Sequence, residues 1–226
     1  MTAPTVAGVE SPWEAEGRRI AEDFDGVTSA VIVSADPAAA AQVALGIARV
    51  QARRRRVAIA DMIGEVAPLQ SLLPRDAAHG IVDSFVYGVS LSKIAYPIDP
   101  AQNLYIMPSG PGPLDHASLL PSERWGKLAS GFKEVDALLM VVAPYDADGL
   151  DELVAVTDGV VTVGDRKRGA PAPVLADVQL AGDPEALHAA APRAAAWSGA
   201  TNRAPVTTLE TRAFDEELRR RTLLFG

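Results

Sequence analysis

Thr28-Ser29-Ala30-Val31-Ile32-Val33-Ser34, then Ala35-Asp36-Pro37, then Ala38-Ala39-Ala40-Ala41-Gln42, decides the fold of this 226-residue chain. The first seven residues are an apolar run ended by a turn, the pattern of a strand buried on both faces of a parallel sheet. Asp36-Pro37 belongs to the turn that leaves it, and residues 38–52 have the composition of a helix. In α/β domains that bind nucleotides, the phosphates sit at such a strand–turn–helix junction. The junction then needs glycines so that backbone N–H groups can close round the phosphates, a lysine for the outer phosphates and a hydroxyl for Mg²⁺. Alanine and glutamine stand here instead, with the methyl groups of Ala38 to Ala41 expected where phosphates would lie, and the nearest lysine is Lys93.

The alternation continues outward. Arg53 to Arg56 close the first helix as a solvated basic end, favoured by the helix dipole. Residues 57–60 are a second strand, 66–73 a short helix before Pro74, and 81–87 a helix between Gly80 and Gly88. Residues 104–107 form a strand entering the loop Pro108-Ser109-Gly110-Pro111-Gly112-Pro113. Ser122 caps a helix to Gly131, and 137–142, the most apolar run, is the expected central strand. A helix over 150–156 and strands over 159–163 and 174–180 follow, with an alanine-rich helix over 185–197. Residues 213–224 form an amphipathic helix with Phe214, Leu218, Leu223 and Leu224 near one side. The expectation is an α/β fold, a three-layer αβα arrangement with a mostly parallel sheet. Its parts are an N-terminal helical segment (1–27), a main domain (28–197), and a linker with a C-terminal helix (198–226).

With 48% apolar residues the chain can bury one full core. Net charge −8 and a pI near 4.9 count against nucleic acid or an anionic membrane surface as partner. There is no cysteine, and His79, His116 and His188 are too scattered for a metal-ligand pattern, so neither metal nor cofactor is expected. The N-terminus lacks a basic region followed by an apolar core, and no apolar stretch approaches the roughly 20 residues of a membrane span. A cytoplasmic protein without membrane insertion is the expectation.

Several motifs together resemble the bacterial tyrosine kinases of capsule and exopolysaccharide assembly, relatives of the MinD and ParA type P-loop ATPases. Ser34-Ala35-Asp36-Pro37 is similar to the Ser-Ala-Glu-Pro before the family's Walker A glycines, and residues 57–61 to the strand ending in its second aspartate. His79-Gly80-Ile81-Val82-Asp83 resembles a Gly-Leu-x-Asp helix start, and Asn103 to Gly110 the family's Asn-Leu-x-Val-Leu-Pro-x-Gly. Pro121-Ser122-Glu123-Arg124 and the strand from Val135 to Pro144 match further pieces. The resemblance spans residues 11–165 and implies a P-loop NTPase-like fold.

It also implies that the nucleotide chemistry is gone. Ala41 stands at the Walker A lysine, Gln42 and Val43 at the hydroxyl positions and Val141 at the Walker B aspartate, while Asp61 survives beside Ile63. Without the lysine and the metal carboxylate, neither the phosphate charge nor its bridging Mg²⁺ is held. The family's tyrosine-rich tail is missing too, since the last tyrosine is Tyr145.

The reading that follows is a pseudo-ATPase: a non-catalytic regulator or scaffold acting through protein–protein contacts. The implied partner is a polysaccharide-export membrane protein or an active ATPase paralogue, and homo-oligomerisation is a further expectation. Glu16 and Arg19 supply part of the family's ring-forming Glu-x-x-Arg-x-x-Arg, with an ordinary helical ion pair as the alternative. Phe214 and Leu218 are the expected interaction residues of the tail.

An alternative is a small-molecule or nucleotide sensor, or an enzyme, using Asp61, Asp36 and Asp146 in the same crevice; for Asp61 the competing role is a cap or turn residue. A ParA- or MinD-like positioning protein is a third reading. His116 reads as a surface histidine, and Trp13 and Trp125 as packing or assembly contacts. Ser109-Gly110 lies outside any G-x-S-x-G elbow.

Overall fold

The computed structural model describes residues 11–99, 103–164, 171 and 173–180. The chain opens with helix α1 (Pro12–Arg19) and a 3₁₀ turn (Ala21–Phe24), then strand β1 (Ser29–Ser34), α2 (Pro37–Gln51) and β2 (Val57–Asp61). Three short helices follow, α3 (Ala67–Gln70), α4 (Ile81–Tyr87) and α5 (Leu91–Ile94), and then β3 (Tyr96–Asp99) and β4 (Leu104–Met107). The last elements are α6 (His116–Leu119), α7 (Arg124–Glu134), β5 (Leu138–Pro144), α8 (Leu150–Ala155), β6 (Val160–Val163) and β7 (Val174–Val178).

The seven strands form one sheet in the order β3-β4-β2-β5-β1-β6-β7, parallel throughout except for the β3–β4 pair. The most apolar run therefore lies at the centre, as expected. Alternation along β5 divides the core: Leu138, Met140 and Val142 join α2, α3 and the 3₁₀ turn, while Leu139, Val141 and Ala143 join α4, α7 and α8. These two apolar layers on one parallel sheet make the three-layer αβα fold.

Four elements depart from the sequence expectation. Strand β3 carries Pro97 and a register shift between Pro97 and Asp99, which an edge strand tolerates and an alternation pattern hides. Helices α5 and α6 are single turns. The helix expected from Ser122 starts at Arg124, with the Ser122 hydroxyl accepting from the Arg124 amide at 3.4 Å. The expected elements over 185–197 and 213–224, with Phe214 and Leu218, lie outside the described residues.

Helix α1 is seated on α2 through two glycines. A Cβ on Gly17 would lie 2.3 Å from the Val43 carbonyl oxygen, and one on Gly46 would lie 2.1 Å from that of Glu14. Only hydrogen fits at either place, so the backbones approach closely. Glu14, 8% exposed, pairs across the crossing with Arg49 and within α1 with Arg18. Gly46→Val is expected to push α1 off α2 and cost about 1–3 kcal/mol by overpacking. Urea denaturation checks it; a midpoint within error of wild type would refute the close crossing.

At the opposite end of the sheet, Asp158 joins β1 to β6 by accepting from the amides of Thr28 and Ser29, at 2.7 and 2.9 Å, and from the Thr28 hydroxyl. Burial would push this carboxyl up, but these donors outweigh it and hold it below the usual range.

Candidate functional site

Ligands of doubly wound sheets bind at the C-terminal ends of the strands. There, only Ala35 and Asp36 separate β1 from α2, too few residues for a phosphate-enclosing loop. Asp36 is the N-cap of α2 and Pro37 its first residue. Its Oδ1 accepts from the amides of Ala38 and Ala39 at 2.9 and 3.4 Å, and its own amide donates to the Ser34 hydroxyl. A carboxylate of the chain thus takes the helix-head amides that would otherwise face an anion.

The alanines that follow do not line the edge. Ala39, Ala40 and Ala41 are at most 1% exposed and belong to the α2-side core, which corrects the expectation that their methyl groups project where phosphates would lie. Gln42 accepts from the Ser11 hydroxyl at 2.6 Å, so the N-terminal segment holds it. Val141, which the resemblance sets at the Walker B position, faces the α4–α7–α8 layer; Val142 faces α2. Both are valine, and neither brings a carboxylate to the head of α2.

Asp61 ends β2 opposite Val142, yet it is 1% exposed and turned into its own loop. Oδ1 accepts from the amides of Ile63 and Gly64, at 2.9 and 3.0 Å, and Oδ2 from Val66 at 3.3 Å. Burial pushes its carboxyl up, against those three donors. His116 ties the same loop to α6: a carbonyl can only accept, so its Nε2–H donates to the Met62 oxygen at 2.7 Å. The surface histidine is a half-buried strut.

Asp146 is exposed in the turn after β5. Because Ser34 is in register with Pro144, Asp36 and Asp146 each lie two residues beyond a paired position on neighbouring strands. The structure brings these two to one exposed edge and sets Asp61 apart as a loop clamp. Among the described residues no group of three or more His, Asp and Glu side chains could hold a metal ion. Trp13 of α1 reaches this edge, its ring 3.9 Å from a Cβ built on Gly164. Glu16 and Arg19 pair with each other at 2.7 Å on the outer side of α1.

One contact joins two motifs that lie apart in the sequence. The head of α4 is sewn to the loop after β4 by Ile81 N–H to Pro108 O, 2.8 Å, and Val82 N–H to Ser109 O, 3.0 Å. A Cβ on Gly80 would stand 2.2 Å from the Gly110 nitrogen. Two separately noted motifs, residues 79–83 and 103–110, are one structural joint, and the glycine in each was the available signal. Among the described residues no helix is long and apolar enough to cross a membrane.

No protein-family model and no curated protein sequence matches the chain. Solved structures do match. The VpsO kinase domain is 16% identical with a TM-score of 0.54, over 67% of this chain and 79% of that one. The chimerical protein CapA2B2 is 16% identical with a TM-score of 0.59, over 72% and 82%. The kinase domain of the Escherichia coli tyrosine kinase ETK is 14% identical with a TM-score of 0.55, over 77% and 73%. At these identities the likeness is one of fold: an α/β domain of the P-loop NTPase-like type.

Proposed function

We propose that this chain is a non-catalytic scaffold or regulator that keeps an NTPase-like framework for contacts with other proteins. The observation that carries the reading is Asp36 on the head of α2. A phosphate there would gain about 0.3–1 kcal/mol from the helix dipole. It would also meet the Asp36 carboxylate, a repulsion of about 1 kcal/mol when fully screened by water and about 4 near a protein surface at 4 Å. Repulsion wins, and no lysine stands in the β1–α2 unit to offset it.

Following the resemblance, the partner is a polysaccharide-export membrane protein or an active ATPase paralogue. Glu16 and Arg19, paired with each other on exposed α1, are the residues offered to such a partner or to a second copy; the pair itself adds at most about 1 kcal/mol to folding.

Calorimetric titration with Mg-ATP tests the proposal. No binding tighter than about 100 μM is expected, a ceiling of roughly −5.5 kcal/mol. Ala41→Lys is expected to remain as inactive, because the two-residue connection leaves no loop for the lysine to serve. Tighter binding by the natural chain would overturn the proposal and favour a nucleotide sensor using Asp36 and Asp146.

A further inference from the structure

We infer that α1 is a strap that opens as a unit at Ile20 and so governs access to the head of α2. A segment leaves its domain at low cost when it takes few buried apolar side chains with it. Of the eight residues of α1 only Glu14 and Gly17 are buried, and neither brings an apolar side chain to the crossing. Its one large apolar side chain, Trp13, is half-buried at the rim of the α2-side core. The residues just beyond the helix differ: Ile20, Ala21 and Phe24 are all buried.

The bonding changes at the same point. Before Ile20 the contacts with α2 join side chains, Ser11 to Gln42 at 2.6 Å and Glu14 to the half-exposed Arg49. After it they hold the backbone: Gln51 donates to the Ala21 carbonyl and Arg55 to the Phe24 carbonyl, each at 2.6 Å. Residues 21–24 are thus tied to the far end of α2 and stay when α1 leaves. Ile20, at φ −91° and ψ 0°, ends the helix and begins the 3₁₀ turn, so the backbone already changes form there. Once off, a helix of eight residues is well short of the roughly 12–15 that hold an isolated helix, so it melts. The chain entropy it regains offsets part of the lost contacts.

The glycine crossing makes the strap either seated or off. With Gly17 and Gly46 against backbone, no side chain bridges a partial separation, and a gap of about 0.5–1 Å already forfeits a quarter to a half of the contact attraction. What the strap covers is the strand-end edge. Ser11 lies on Gln42 in the second turn of α2, and the Trp13 ring lies beside Gly164 at the end of β6. Opening frees both places without breaking a strand pair, because α1 belongs to no strand of the sheet. The inference is independent of the proposed function: it concerns access to this edge, whatever meets it.

Hydrogen exchange of the full chain, followed by mass spectrometry, tests the inference. The amides of residues 15–20 are expected to exchange at one common rate, about a hundredfold faster than those of β1, and to respond little to low urea because the opening exposes little surface. Glu14→Gln should raise that rate about tenfold by weakening the bonds to Arg18 and Arg49, and leave β1 unchanged. Gly46→Ala adds the Cβ that meets the Glu14 carbonyl while favouring α2 itself, so residues 15–20 should lose protection and β1 keep it. Access is read by a thiol. The sequence has no cysteine, so Gln42→Cys gives a single one, and its labelling by a maleimide should be roughly tenfold faster with Gly46→Ala, whereas labelling of the control Ala35→Cys should not change. If residues 15–20 and β1 exchange together at every urea concentration, or if Gly46→Ala speeds both equally or neither, α1 belongs to the cooperative unit of the sheet and the inference fails. Unchanged labelling of Gln42→Cys would overturn the control of access.

Discussion

Trp125→Ala is expected to lower the stability of this domain by about 3–5 kcal/mol, a loss of roughly 10 °C in melting temperature for a chain of this size. Trp125 is fully buried, and its ring lies tilted against Phe85 at 4.7 Å. Its Nε1–H donates to the Leu119 carbonyl at 3.0 Å. Removing it opens a cavity between α7 and α4, deletes an aromatic pair worth about 0.5–1.5 kcal/mol beyond its area, and leaves a buried carbonyl without its partner. Trp125→Phe separates these contributions. It keeps an aromatic ring beside Phe85 and loses the hydrogen bond, so it should cost less than half as much. Urea titrations at equal protein concentration give both values. A cost below about 1.5 kcal/mol for the alanine variant would mean that α7 repacks freely, and that the apolar layer on this side of the sheet is less specific than its buried contacts imply.

The sheet could be read from sequence where the physics is local. The uniform hydrophobicity of 137–142 announces a strand covered on both faces, and β5 is indeed central. Helix α4 was bounded by glycines, and Gly88 adopts the left-handed conformation (φ 71°) that ends helices. Strand β3 was not legible because its identity comes from its neighbour. Tyr96-Pro97-Ile98-Asp99 becomes a strand by pairing antiparallel with β4, a non-local contact that four residues with a proline do not advertise. The seating of α1 is similar: Gly46 inside an alanine-rich helix looks like a helix-weakening residue until Glu14 is found against it.

The candidate site divides the same way. Asp36 and Pro37 carry a pattern with a known meaning, an acidic N-cap followed by proline in the first turn, and from it the direct start of α2 could have been foreseen. Taking the segment as a lost phosphate loop placed the alanines at the edge, whereas the early start of the helix turns three of them into the core. Asp61 was legible as the end of a strand. Its inward orientation was not, because it depends on how Ile63, Gly64 and Val66 curl back, with Gly64 at φ 96° and Glu65 at φ 52°.

That inward orientation raises what is expected of Asp61→Ala. A simple cap or turn residue would cost about 0.5–2 kcal/mol. Here one side chain satisfies three amides, and Val66 N–H is buried, so about 2–4 kcal/mol is expected, with water entering to partner Ile63 and Gly64 in the variant. The pH dependence follows from linkage. The folded-state carboxyl lies above its ordinary value of 3.8, so the folded protein binds this proton more tightly than the unfolded chain. Its contribution to stability therefore grows as pH falls from neutrality through the folded pKa towards 3.8, and the difference between natural chain and variant should widen over that range. Urea midpoints of the two proteins at several pH values between 7 and 4 measure it. A difference that is constant or narrows would show that the three amide donors outweigh burial. A variant that keeps full stability at every pH would place Asp61 outside the fold's own bonding and return it to the crevice as a ligand contact.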